Sequence, residues 1–140
     1  MPLSPGNSFL LHGTGGTGNP DGAHLMVCLA VDREKDTAII VPVTTRHELS
    51  DTSCVLDIGD HPFVNRASCV SYDFARQICL SETEEKIDRG RLKLRDSVSG
   101  DVLKRIQVGF VLSDETAPWI FQAGNGPKLE IFLRHKGLIK

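Results

Sequence analysis

The sequence predicts a mainly β, α+β fold: a small barrel or curled sheet of antiparallel strands followed by one late helix. Three observations carry that expectation. Apolar residues between His24 and Phe74 recur with period two, and clusters of Gly, Pro, Asn and Asp cut this text into short pieces. A single later stretch, Val102, Leu103, Ile106 and Phe110, has helical spacing instead. With 140 residues, 40% of them hydrophobic, the chain has material for one core, so residues 1–140 read as a single domain.

Residues 1–22 read as a loop-rich N-terminal segment, broken only by the apolar run Phe9-Leu10-Leu11. From His24, the branched residues Leu25, Val27, Leu29 and Val31 alternate with His24, Met26, Cys28 and Ala30, which predicts a strand covered on both sides. Asp32 to Asp36 is a polar turn, and Thr37 to Val43, ending at Thr44-Thr45, is a second strand, so the pair reads as an antiparallel hairpin. A third strand is expected from Thr52 to Ile58, with Cys54, Leu56 and Ile58 on one face, and a fourth from Ala67 to Phe74. Leu25, Val27, Leu29, Leu56, Ile58 and Val70 are the expected core of this bent sheet.

After Ile78 the text is acidic, then basic; Leu92 and Leu94 alternating with Arg91, Lys93 and Arg95 suggest a short edge strand whose cations discourage pairing with other chains. Ser99 is placed to cap the late helix, with Asp101 in the first turn where a carboxylate suits the dipole. Trp119-Ile120-Phe121 and Ile131-Phe132-Leu133 form a terminal hairpin or, for the last run, a helix.

A net charge of −2 excludes a chain whose affinity for nucleic acid follows from bulk charge, so any polyanion site is local. No apolar run reaches the roughly 20 residues of a membrane span, and Met1 to Gly6 lacks the regions of a signal peptide; the expectation is a cytoplasmic chain without membrane association. Cys28, Cys54, Cys69 and Cys79 form no CxxC pair and read as reduced thiols, three of them packed as small hydrophobes.

Gly13-Thr14-Gly15-Gly16-Thr17-Gly18 has dinucleotide-fingerprint spacing, but no helix is expected after it, so it reads as a loop. His12, His24 and His61 lack metal-ligand spacing, and neither a metal nor another cofactor is expected. Ser68 has no nucleophile elbow around it. The informative group lies at strand ends: Thr44 and Thr45, then Asp60 and His61, then Tyr72, Asp73 and Arg76. Together they offer hydroxyls, an imidazole, carboxylates and a fixed cation, the inventory for holding and cleaving a phosphodiester. The same residue types also suit turns, caps and surface ion pairs.

The run Val41-Pro42-Val43-Thr44-Thr45, then Ser68-Cys69-Val70 and Tyr72-Asp73-Phe74-Ala75-Arg76-Gln77-Ile78, resembles the MazF/PemK-like toxins of type II toxin-antitoxin systems over approximately His24 to Leu112. Ala23-His24 stands where the family has Arg-Pro, and Phe74 where it has Gln. The resemblance implies an SH3-like barrel, a homodimer, metal-independent cleavage of single-stranded RNA, and a cognate antitoxin protein as partner. By position it implies that Thr44, Thr45, Asp73 and Arg76 line the site. In such a site Arg76 would stabilise the phosphorane, Asp73 or His61 would act as general base, and His24 as general acid. Thr44 and Thr45 would orient the phosphate, with Tyr72 and Ser68 as further substrate contacts. The alternative is a noncatalytic SH3-like barrel that binds protein or nucleic acid.

Overall fold

The computed structural model describes residues 2–12, 23–46, 50 and 52–116. The Gly13 to Gly18 loop and the apolar runs after Pro118 lie outside the described residues. Seven strands, β1 (Ser8–His12), β2 (Ala23–Asp32), β3 (Thr37–Thr45), β4 (Val55–Leu56), β5 (Ser68–Val70), β6 (Arg76–Cys79) and β7 (Leu94–Arg95), join two helices, α1 (Leu80–Asp88) and α2 (Gly100–Leu112). The sheet runs β4-β5-β3-β2-β1-β7, with β6 on the first half of β3, and every pairing is antiparallel. Among the described residues this is a mainly β architecture with two α-helices. Among the described residues no helix is long and apolar enough to cross a membrane.

The β2–β3 hairpin is the centre, as its alternation predicts. Its turn is held by Asp32, whose carboxylate accepts from the Lys35 N–H at 3.2 Å, and by Asp36 at φ +55°, a conformation that Asp tolerates better than most residues. Both faces are covered. Leu25, Val27, Leu29, Ile39, Val41 and Val43 meet Val102, Ile106 and Phe110 of α2, while Met26, Cys28, Ala38 and Ile40 meet Leu3, Phe9 and Leu80 on the other side. The register shifts between Cys28 and Ala30, a bulge that takes Leu29 out of the ladder. Its carbonyl accepts instead from the buried Gln107 Nε2 at 3.1 Å, which ties α2 to the sheet. Ser99 caps α2 as the sequence predicts, its hydroxyl accepting from the Val102 N–H at 3.2 Å.

The predicted fourth strand is shorter than its apolar text. It ends at Val70, and a 3₁₀ turn over Tyr72–Phe74 separates β5 from β6, so one strand is split into two that pair with different halves of β3. The cause is Tyr72, which leaves the ladder to bury its ring under α2, edge-on to Phe110 at 6.3 Å between centroids. Its hydroxyl donates to the Ile106 carbonyl at 2.7 Å. Only glycine fits the helix there: a Cβ at Gly109 would lie 2.9 Å from Tyr72 Cζ and 3.0 Å from Cys54 Cβ.

Four further expectations are corrected. Ile58 is 72% exposed, because the chain turns at Asp57–Asp60 rather than continuing as a strand, and the third strand shrinks to Val55–Leu56. The N-terminal segment contributes a real strand, β1, whose Phe9 is buried. The acidic stretch is a helix, α1, which buries Leu80 and Thr83 and turns Glu82 and Glu85 to solvent. Its N-cap residue Cys79 makes no capping bond. Asp36 caps from the hairpin turn, accepting from the Ser81 N–H at 2.8 Å and the Ser81 hydroxyl at 2.6 Å.

The two edges of the sheet approach each other through His61. The loop after β4 brings its imidazole Nε2 to 2.9 Å from Ser8 Oγ on β1 and 2.7 Å from the Asp96 carbonyl just after β7. Asp60 beside it pairs with Arg105 of α2 at 2.8 Å. The sheet is therefore open in its ladder yet curled, with its first and last strands buckled by one buried side chain.

Candidate functional site

Strand register decides which predicted residues meet. Leu25 pairs with Val43 and Thr44 with Cys69, so His24 stands opposite Thr44 in the row of the sheet that also contains Leu11 of β1. Arg76 pairs with Ile40. Because Ile40 and Thr44 are separated by an even number of residues, Arg76, His24 and Thr44 belong to one face of the sheet, with Arg76 about 13 Å along β3 from Thr44. Asp73 is exposed in the turn that leads into Arg76, which is exposed as well, and no ion pair joins the two. Thr45, also exposed, lies opposite Ser68 and faces the other side. His24 is 8% exposed.

The other candidates are turned inward. The Tyr72 hydroxyl is spent on the Ile106 carbonyl, and the buried Ser68 hydroxyl donates to the Arg66 carbonyl at 3.0 Å. His61 is 4% exposed, and its Nδ1 accepts from the Phe63 N–H at 3.0 Å. That bond assigns the ring proton to Nε2, where it is shared between Ser8 Oγ and the Asp96 carbonyl. Ser8 itself donates to the Asp96 carbonyl at 2.5 Å. A serine within 2.9 Å of an imidazole has the outline of a nucleophile and base, yet this nitrogen already carries a proton and neither group reaches solvent. His61 is a structural buckle.

The electrostatics follow the same division. Burial pushes the Cys28 thiol up to about 12 and the Cys54 thiol upward as well, so neither supplies a thiolate. None of the four cysteines forms a disulfide. Burial would raise the Asp60 carboxyl, but the Asp57 N–H and the Arg105 guanidinium outweigh it and hold the carboxyl low. The Ser81 hydroxyl, the Cys79 thiol and the Ser81 N–H hold Asp36 below its ordinary range. Among the described residues no three His, Cys, Asp or Glu side chains are grouped to hold a metal ion.

Sequence reading missed Ser8, Asp36 and Arg105 as organising residues. Their partners, His61, Ser81 and Asp60, are 53, 45 and 45 positions away, beyond any local pattern. The chemistry that the exposed and partly exposed groups can offer is a cation, a carboxylate and two threonine hydroxyls, with one imidazole just beneath the surface. Comparison of the chain with known protein families, curated proteins and solved structures finds no match.

Proposed function

We propose that the chain is a small SH3-like barrel of the MazF/PemK-like kind that cleaves single-stranded RNA as the toxin of a toxin-antitoxin pair. The observation that supports this most is the common face shared by His24, Thr44 and Arg76, with Asp73 in the turn before Arg76. The curled antiparallel sheet, buckled at His61, is compatible with a partly open barrel.

In this reading the RNA 2′-hydroxyl attacks the adjacent phosphorus and the bond to the 5′-oxygen breaks, giving a cyclic phosphate and a 5′-hydroxyl. Asp73 takes the 2′-proton, a role His61 cannot fill with both nitrogens bonded to its neighbours. His24 returns a proton to the departing 5′-oxygen, Arg76 neutralises the phosphorane oxygens, and Thr44 orients the phosphate, whereas Thr45, on the other side of the sheet, takes no part. The protein works as a homodimer and is silenced by a cognate antitoxin, as the resemblance implies.

One observation favours a second reading. His24 is almost fully buried and His61 is tied to the main chain, which suits a noncatalytic barrel that binds protein or nucleic acid and has no proton relay. Cleavage separates the two. Purified chain free of antitoxin should cut a mixed single-stranded RNA, leaving cyclic phosphate ends, and Arg76→Ala should lose most of that activity; folded wild type that leaves RNA intact is the binding module.

A further inference from the structure

The edge of the sheet farthest from β6 carries a row of cations that the site does not use. Arg91, Lys93 and Arg95 are exposed, while Leu92 and Leu94 between them pack inward against the Phe9 and Met26 side of the core. Leu94 and Arg95 are held extended by their pairing with β1, while Arg91 and Leu92 lie in the bend that leaves α1. Lys93 and Arg95 thus point the same way, about 7 Å apart at strand geometry. Among the described residues none of the three makes an ion pair, whereas Arg33, Arg89 and Arg105 are each matched with a carboxylate. The backbone fixes the row: Arg95 is paired with Ser8 in β1, and the Arg91 and Leu92 N–H groups both donate to the Lys86 carbonyl at the end of α1. Asp88 and Asp96 bound it in sequence, in a chain whose net charge is −2.

We infer that this row is an anchoring surface for the sugar-phosphate backbone of single-stranded RNA, separate from the cleavage face. The Lys93–Arg95 spacing is close to the length of one extended nucleotide, so two successive phosphates can meet these two cations without any base being read, with Arg91 at the bend beside them. Protection of an edge strand from other chains also uses cations, but it needs neither three of them in a row nor their freedom from carboxylates. The order β6-β3-β2-β1-β7 sets this edge four strands from Arg76, roughly 19 Å away across the sheet, and the register puts Arg95, opposite Ser8, on the other face from Arg76, so a strand that meets both must pass round the β7 edge. The consequence is affinity for long substrates rather than a change in the bond that is cut.

The inference rests on the proposal that the chain acts on RNA, and its test is kept separate from cleavage. The probe is a 12-nucleotide 2′-O-methyl single-stranded RNA, which lacks the attacking hydroxyl and stays intact. Its affinity for the full chain is measured against salt concentration for wild type, for Arg91→Ser with Lys93→Ser and Arg95→Ser, and for Lys35→Ser with Lys104→Ser. Losing three phosphate contacts should make the logarithmic salt slope shallower by about 2, at roughly 0.7 per contact on a single strand. The Lys35 and Lys104 variant should keep the wild-type slope, and Arg91→Lys with Arg95→Lys should restore it. An unchanged slope in the triple variant, no binding by wild type at low salt, or equal displacement of the RNA by poly-glutamate of the same charge would each overturn the inference. Wild type that binds with the expected slope but does not cleave unmodified RNA would leave the row standing and remove the nuclease reading.

Discussion

Gly109→Ala tests whether Tyr72 is a core wedge or a substrate contact. In an exposed helix the substitution should stabilise by about 1 kcal/mol, because alanine is the better helix former. Here the new Cβ would overlap the Tyr72 hydroxyl, 2.9 Å from Cζ, and would press on Cys54 Cβ at 3.0 Å. Neither neighbour can yield easily. Tyr72 is fully buried and its hydroxyl is bonded to the Ile106 carbonyl one turn back on the same helix, so moving the ring breaks that bond and disturbs its packing on Phe110. Overpacking of this kind costs about 1–3 kcal/mol, and the strength of the overlap puts it at the upper end. Subtracting the propensity gain leaves a net loss of about 2 kcal/mol. Urea denaturation followed by circular dichroism should show a lower midpoint with the slope unchanged. Repeating the substitution in a Tyr72→Phe background removes the hydroxyl but not Cζ, so the penalty should shrink by at least about 0.5 kcal/mol. A Gly109→Ala protein as stable as wild type, or more so, would refute the packing and return Tyr72 to the surface.

Three further outcomes follow from the same structure. His61→Ala should lower stability by about 2–4 kcal/mol, since it leaves the buried Ser8 hydroxyl and the Phe63 N–H without their ring partner, yet should leave RNA cleavage per folded molecule unchanged; thermal melts and cleavage assays read the two effects. Asp36 has a folded pKa below its unfolded value, so its contribution is present at neutral pH and is lost as pH falls through the folded value. The gap in melting temperature between wild type and Asp36→Asn should accordingly narrow from pH 7 towards about pH 2, with Asn keeping the left-handed backbone relaxed. Iodoacetamide at about pH 8 should modify Cys79 alone in the native chain and all four thiols after unfolding, as peptide mass mapping would show, because Cys28, Cys54 and Cys69 are buried.

The parts of this fold legible in the sequence are those written locally. The β2–β3 hairpin follows from alternation on both sides of a charged turn, and α2 from four apolar residues behind a serine cap. Helix α1 was hidden because its cap is Asp36, brought from another turn, so the stretch from Ser81 reads only as charge. The break after Val70 was hidden for a related reason: the text Ser-Tyr-Asp-Phe suits a strand until Tyr72 finds the groove left by Gly109 37 positions later. Ile58 shows the reverse error, an apolar residue assigned inward by parity although the Gly59-Asp60 turn begins one residue too early. For the site, strand parity was enough to bring His24, Thr44 and Arg76 to one face, whereas the fate of His61, Tyr72 and Ser68 depended on whether their polar atoms found partners inside.

Whether the face holding His24, Thr44 and Arg76 performs RNA cleavage is read from turnover of a mixed single-stranded RNA by purified chain and by Arg76→Ala, with folding of both checked by circular dichroism. Arg76 is exposed and makes no ion pair among the described residues, so its removal should cost no more than about 0.5 kcal/mol of stability. If its guanidinium neutralises the phosphorane, the rate should fall by about 10²–10³-fold, and the wild-type product should end in a cyclic phosphate. Equal cleavage by the two folded proteins, or none by wild type, would remove this face from RNA cleavage.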